Sequence, residues 1–69
     1  MLYYLKFKLK DNRTWVYVGD SDERPGFDIS GDMDYCTGYS SIVVLEAMKH
    51  VFEKYPNLEE MVTGPFSDF

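Results

Sequence analysis

The 69-residue chain predicts a single α+β domain spanning residues 1–69, in the order ββ(β)αβ: a small antiparallel sheet packed against one amphipathic helix. Three observations carry this reading. Residues 2–10 alternate apolar and polar side chains, the period of a half-buried strand. From Ser41 to Tyr55 the apolar residues recur at helical spacing instead, and Pro56 closes the run. The length allows one core only. At roughly 1.5 kcal/mol of ordering entropy per residue, folding costs on the order of 100 kcal/mol, which apolar burial exceeds narrowly in so small a domain. With 45% hydrophobic and 17% aromatic residues, the chain is well supplied with core candidates and lies far from the composition of disordered proteins.

The first strand places Tyr3, Leu5, Phe7 and Leu9 on one face and Tyr4, Lys6, Lys8 and Lys10 on the other. Asp11-Asn12-Arg13 is turn material, and Thr14-Trp15-Val16-Tyr17-Val18 is a β-rich run ended by Gly19, so the two strands form an antiparallel hairpin. Two registers are open. A two-residue loop at Asn12-Arg13 sets Leu9 opposite Val16 and Phe7 opposite Val18, leaving Trp15 and Tyr17 beside the lysines. A three-residue loop pairs Leu9 with Trp15 and Phe7 with Tyr17 and buries the aromatics.

Residues 19–41 hold four of the five glycines, and within them Gly26-Phe27-Asp28-Ile29-Ser30 alternates enough for a short third strand. In the helix, Ser41 or Ser40 supplies the cap. Val44, Leu45, Met48, Val51, Phe52 and Tyr55 form the expected apolar stripe, with Glu46, Lys49, His50, Glu53 and Lys54 opposite. After Pro56, Asn57-Leu58-Glu59-Glu60 has the form of a capping box, while Glu60-Met61-Val62-Thr63 reads as a last strand before Gly64-Pro65; the strand is the reading adopted. The terminal Phe66 and Phe69 are assigned to the core, because apolar residues are few.

Charge is distributed unevenly. Residues 20–34 carry six acids, Asp20, Asp22, Glu23, Asp28, Asp32 and Asp34, against Arg24 alone, a charge of −5 that equals the net charge of the whole chain. Residues 1–19 carry +3, from Lys6, Lys8, Lys10 and Arg13 less Asp11, and residues 35–69 carry −3. Such polarisation suits a surface that meets something basic.

Several chemistries fail on their spacing. The Asp-x-Asp pairs at Asp20/Asp22 and Asp32/Asp34 invite a calcium or magnesium site, since hard cations take convergent carboxylates. An EF-hand loop begun at Asp20 needs Gly at 25 and Glu at 31, where Pro25 and Gly31 stand; one begun at Asp32 meets Thr37 and Val43. Asp32-Met33-Asp34-Tyr35-Cys36-Thr37 resembles the aspartate phosphatase pattern, but that chemistry needs a far larger doubly wound scaffold. Cys36 and His50 are the only cysteine and histidine. They make no structural zinc set and no disulfide. A helix-surface contact with Glu46 accounts for His50, and a small buried hydrophobe accounts for Cys36. No metal, cofactor or catalytic residue is therefore assigned. Lysines interrupt the first ten residues, which excludes a signal-peptide run, and no segment is long and apolar enough to span a bilayer. With a lone cysteine, a cytoplasmic location is the expectation.

The expected function is that of a small acidic, non-enzymatic interaction protein, monomer or homodimer. Its partner-binding residues are Asp20, Asp22, Glu23, Asp28, Asp32 and Asp34, which dock on a basic, nucleic-acid-binding site of a partner protein. Phage-borne inhibitors of bacterial defence, of the anti-CRISPR or anti-restriction kind, share this size and charge, an analogy of size and charge alone. Neither nucleic acid nor a membrane is an expected direct partner. Two alternatives stand beside it. If the two-residue loop holds, Tyr4, Lys6, Lys8 and Lys10 share a surface with Trp15 and Tyr17 on which single-stranded nucleic acid stacks; or the chain is a dimerising accessory subunit.

Overall fold

Strand β1, Tyr3–Leu9, runs through the middle of a four-stranded antiparallel sheet of order β3-β2-β1-β4. The structure, a computed structural model, describes residues 1–20 and 27–69. Strand β2 is Asn12–Gly19, β3 is Asp28–Ser30, and β4 is Leu58–Pro65; helix α1, Ser41–Lys54, covers one face of the sheet, and short 3-10 turns occupy Met33–Tyr35 and Phe66–Asp68. The α+β order read from the sequence is the order found.

The alternation of β1 drives Leu5 and Phe7 into full burial, where Val16 and Val18 of β2 join them beneath Val44, Ala47 and Val51 of α1. Tyr39, just ahead of the helix, closes this core, and Phe7 meets the Tyr55 ring at 5.1 Å. Ser40 is the helix cap, its Oγ accepting from the Val43 amide at 3.4 Å, and the chain leaves the helix at Tyr55, ahead of Pro56.

Neither expected hairpin register is found. Phe7 pairs with Val16, Lys6 with Tyr17 and Leu9 with Asn12, with an irregularity between Phe7 and Leu9, so the turn is Lys10-Asp11. The facing is that of the two-residue expectation, with Trp15 and Tyr17 on the side of the lysines, but the strands are offset by two residues. Side-chain chemistry explains the shift. Asn12 works inside the strand, its Oδ1 accepting from the Thr14 amide at 3.2 Å and the Thr14 hydroxyl at 2.8 Å. The turn is tied to the helix–β4 connection, where the Lys10 amide donates to the Asn57 carbonyl at 2.8 Å and Asn57 Nδ2 donates to Asp11 Oδ1 at 3.0 Å.

Other expectations need correction. The helix stripe is centred on Ala47, not on Leu45 and Phe52, which lie 63% and 62% exposed. A small residue at the centre lets the helix settle close to the sheet and turns the neighbouring large side chains outward. His50, one turn on from Glu46 in α1, is half-buried with its ring 5.8 Å from Phe27, a contact the sequence reading did not include. Phe66 and Phe69 do not enter the core under the helix. Phe69 packs on the opposite face of the sheet, 5.0 Å from the Tyr4 ring and 5.7 Å from Tyr17, and Phe66 stacks on it at 5.7 Å. That face is uncovered by any helix, so the terminal rings close it instead. The third strand is shorter than expected, Asp28–Ser30, with Gly26 outside the described residues, and the last strand is longer, Leu58–Pro65.

Candidate functional site

Beyond the core the fold presents two chemically distinct surfaces, and Gly19 organises the acidic one. It ends β2 and pairs with Asp28 of β3. The segment after β3 returns across it: a Cβ at Gly19 would overlap the Tyr35 carbonyl oxygen and lie 2.9 Å from Thr37 Oγ1. Only a residue without a side chain admits so close a backbone approach. Thr37 fastens the crossing, its amide donating to the Val18 carbonyl at 3.3 Å and its Oγ1 accepting from the Asp20 amide at 3.2 Å.

This crossing places the acids. Asp20 follows Gly19 directly and is exposed. Asp28, half-buried on β3, accepts from the Tyr35 hydroxyl at 3.1 Å. Asp32 is the N-cap of the Met33–Tyr35 turn, its Oδ1 accepting from the Asp34 amide at 3.0 Å, and its own amide donates to Ser30 Oγ at 3.0 Å. Asp34 is exposed within that turn. Four of the six expected residues, Asp20, Asp28, Asp32 and Asp34, therefore share the β2–β3 side of the sheet. Asp22 and Glu23 lie outside the described residues. Among the described residues, Asp20, Asp32 and Asp34 have no ion-pair partner; the ion pair found is Lys8–Glu60, at 4.0 Å on the other side of the sheet. No group of three or more His, Cys, Asp or Glu among the described residues is arranged to hold a metal ion.

The second surface is the sheet face away from the helix. Lys6 and Lys8 lie with their Nζ atoms 4.4 Å and 4.6 Å from the centroid of the half-buried Trp15 ring. Lys6 also lies 5.9 Å from the Tyr4 ring. With Phe69 on Tyr4 and Tyr17, the rings of this face are engaged within the molecule: the lysine stems roof the indole and the terminal phenylalanine covers the tyrosines. The seat of Phe69 has no signal in the sequence beyond the presence of two aromatics near the end.

Cys36 and His50 occupy separate environments. The Cys36 thiol is buried and donates to the Leu5 carbonyl at 3.9 Å, and burial pushes it up from its ordinary value, away from the reactive thiolate. His50 packs on Phe27, which also meets the Tyr39 ring at 5.7 Å. Tyr39 is strongly shifted: burial, followed by the charge of Asp20, pushes its phenol up to about 12. Its hydroxyl is buried without completing a hydrogen bond. The neighbouring Thr37 hydroxyl tempers the shift.

Comparison with family models, curated proteins and solved structures gives no match.

Proposed function

We propose that this protein is a small, non-enzymatic interaction protein that docks its acidic edge on a basic, nucleic-acid-holding site of a partner protein, as inhibitors of nucleic-acid-dependent effectors do. The observation that carries this is the set of exposed carboxylates Asp20, Asp32 and Asp34, held on the β2–β3 side by backbone hydrogen bonds and without ion-pair partners among the described residues. Carboxylates fixed on a small scaffold fit arginine and lysine forks built for phosphate, and opposite charge steers the encounter. The Lys/aromatic face supports this reading less directly from the other side. Base stacking there requires free rings, and these are covered by Lys6, Lys8 and Phe69.

The test is a paired experiment. The purified protein should leave labelled single-stranded DNA and RNA unshifted at physiological salt, yet displace such strands from the basic partner captured from its host. Replacing Asp20, Asp32 and Asp34 together by Asn should weaken capture and flatten its dependence on salt. Asn keeps the Oδ1 that caps the Met33–Tyr35 turn, so the fold is spared. Direct strand binding that Lys6→Glu with Lys8→Glu abolishes, together with indifference to the three aspartates, would overturn the proposal and establish the Lys/aromatic face as the working surface.

A further inference from the structure

The two edges of the sheet differ in length. Strand β3 has three residues, whereas β4 has eight and pairs with β1 on one side only. Hydrogen bonds at the start of β1 fix which main-chain groups of β4 are left over. The Tyr3 amide donates to the Tyr39 carbonyl at 2.7 Å and the Tyr3 carbonyl accepts from the Tyr39 amide at 2.8 Å, so Tyr3 turns its main chain away from β4. The Leu2 carbonyl, one residue back, faces the other way and accepts from the Phe66 amide at 2.8 Å. The pair Tyr3 with Pro65 is therefore a non-hydrogen-bonded one, and the alternation of an antiparallel ladder gives the same status to Leu5 with Thr63 and to Phe7 with Met61. The amides and carbonyls of Met61 and Thr63 consequently point outward from the edge. Among the described residues no backbone group takes them up.

The strand is also acidic. Glu59 and Glu60 are exposed, and β4 holds no lysine or arginine. Glu60 stays 54% exposed beside Lys8, and Glu59 has no ion-pair partner among the described residues. Met61, opposite Phe7, packs on the core from the helix side, while Val62, opposite Lys6, lies half-buried on the open face. We propose that this edge takes an extended segment of a partner protein as an added strand, with apolar residues on the helix side beside Met61 and lysine or arginine between them on the open face beside Glu60. Outward main-chain groups bond a backbone laid along them, and charge decides whose backbone that is. Two glutamates repel an acidic strand and attract a basic one. A second copy's β4 brings the same two glutamates on a chain of net charge −5, so it is the disfavoured occupant. Affinity here comes from main-chain bonds rather than from a large apolar area. The inference is independent of Asp20, Asp32 and Asp34, which lie toward the opposite edge.

The probe is a capped peptide of alternating valine and lysine with the eight-residue length of β4, titrated into the isotope-labelled full chain and read by amide hydrogen exchange. At about ten times its Kd the peptide should slow exchange of the Met61 and Thr63 amides about tenfold, in proportion to the share left unbound. Glu59→Gln with Glu60→Gln should weaken binding about two- to thirtyfold, the size of two exposed pairs, with an unchanged far-UV circular dichroism spectrum. Methylating alternate amides of the peptide tests the main chain without altering the protein. On one alternate set it should abolish binding, and on the other it should leave the Kd within about threefold, because an added strand turns only one set toward β4. No binding up to about 1 mM peptide, binding without protection at Met61 and Thr63, equal tolerance of both methylated sets, or equally tight binding of a valine and glutamate peptide overturns the proposal. Protection of the same amides in peptide-free protein as its concentration rises also overturns it, and assigns the edge to a second copy.

Discussion

Tyr39→Phe should make this protein more stable, although it removes a polar atom from the edge of the core. The Tyr39 ring is 7% exposed and packs on Phe27, and its hydroxyl is buried with no completed hydrogen bond. Phenylalanine keeps the ring and its contacts and deletes only the oxygen. A buried hydroxyl without a partner costs about 1–3 kcal/mol in desolvation, so taking the low end the variant gains about 1 kcal/mol at pH 8. In a domain of this length that raises Tm by about 4–8 °C. The phenol then supplies an independent check through pH. Its folded value stands near 12 against an ordinary 10, so the stability that depends on the neutral phenol is intact below pH 10 and is lost as pH rises from 10 through 12. At pH 11 the unfolded chain has released the proton and the folded one has not, which lowers wild-type stability by about 1.4 kcal/mol. The variant lacks this loss. Urea melts of the two proteins at pH 8 and pH 11 should therefore show the gap between them widening from about 1 to about 2.5 kcal/mol, with every other titrating group cancelling in the difference. A variant less stable than wild type at pH 8, or a gap that stays constant or narrows toward pH 11, would refute the reasoning.

Two shorter predictions test the scaffold beneath the surfaces. Gly19→Ala should destabilise by about 1–3 kcal/mol, because its Cβ meets the Tyr35 backbone and the Thr37 hydroxyl rather than a flexible side-chain end; amide chemical shifts of residues 33–37 should move with it. Phe7→Leu should cost about 1–2 kcal/mol in a urea melt and Phe7→Ala about 3–5, a large part of the total for a domain of this length, since Phe7 is fully buried and meets the Tyr55 ring.

What the sequence made legible follows the strength of each local signal. Period-two alternation in β1 and helical spacing with Ser40 and Pro56 at the ends of α1 are repeated over many residues, and both elements stand where the pattern puts them. The hairpin register depends on two or three turn residues, and Asn12, which reads as a turn former, instead braces Thr14 from within β2. The helix misled in a different way. It has two apolar sides, and large residues such as Leu45 and Phe52 outweigh Ala47 in any reading by hydrophobicity, whereas close packing on the sheet gives the central place to the small one. Of the acids, composition located the segment. It gave no hint that a return past Gly19 would set Asp20 beside the turn that bears Asp32 and Asp34, because that contact requires a missing side chain at one residue and a hydroxyl at Thr37.

The remaining question is whether the acidic edge serves the fold or something outside it. Charge on an edge strand keeps other strands from adding, and β3 is an edge of the sheet, so Asp28 has a structural use, reinforced by its bond from Tyr35. Asp20, Asp32 and Asp34 lie off the strand. Asp20 and Asp34 join the hydrogen bonds of the fold through their amides, and Asp32 through its amide, its carbonyl and one cap oxygen that Asn supplies as well. The fold thus uses the position of these residues without using their charge, and like charges kept on one side of a small domain repel. Replacing all three by Asn should accordingly leave stability within about 0.5 kcal/mol of wild type, or raise it slightly, and the change should be largest at low salt, where repulsion is least screened. Urea melts at 10 mM and 500 mM sodium chloride, conditions spanning a Debye length of about 30 Å to under 5 Å, measure this directly. A loss of more than about 1 kcal/mol at low salt would assign the carboxylates to the fold and remove the main support for docking. Stability kept while capture of a basic partner is lost would place their charge in binding.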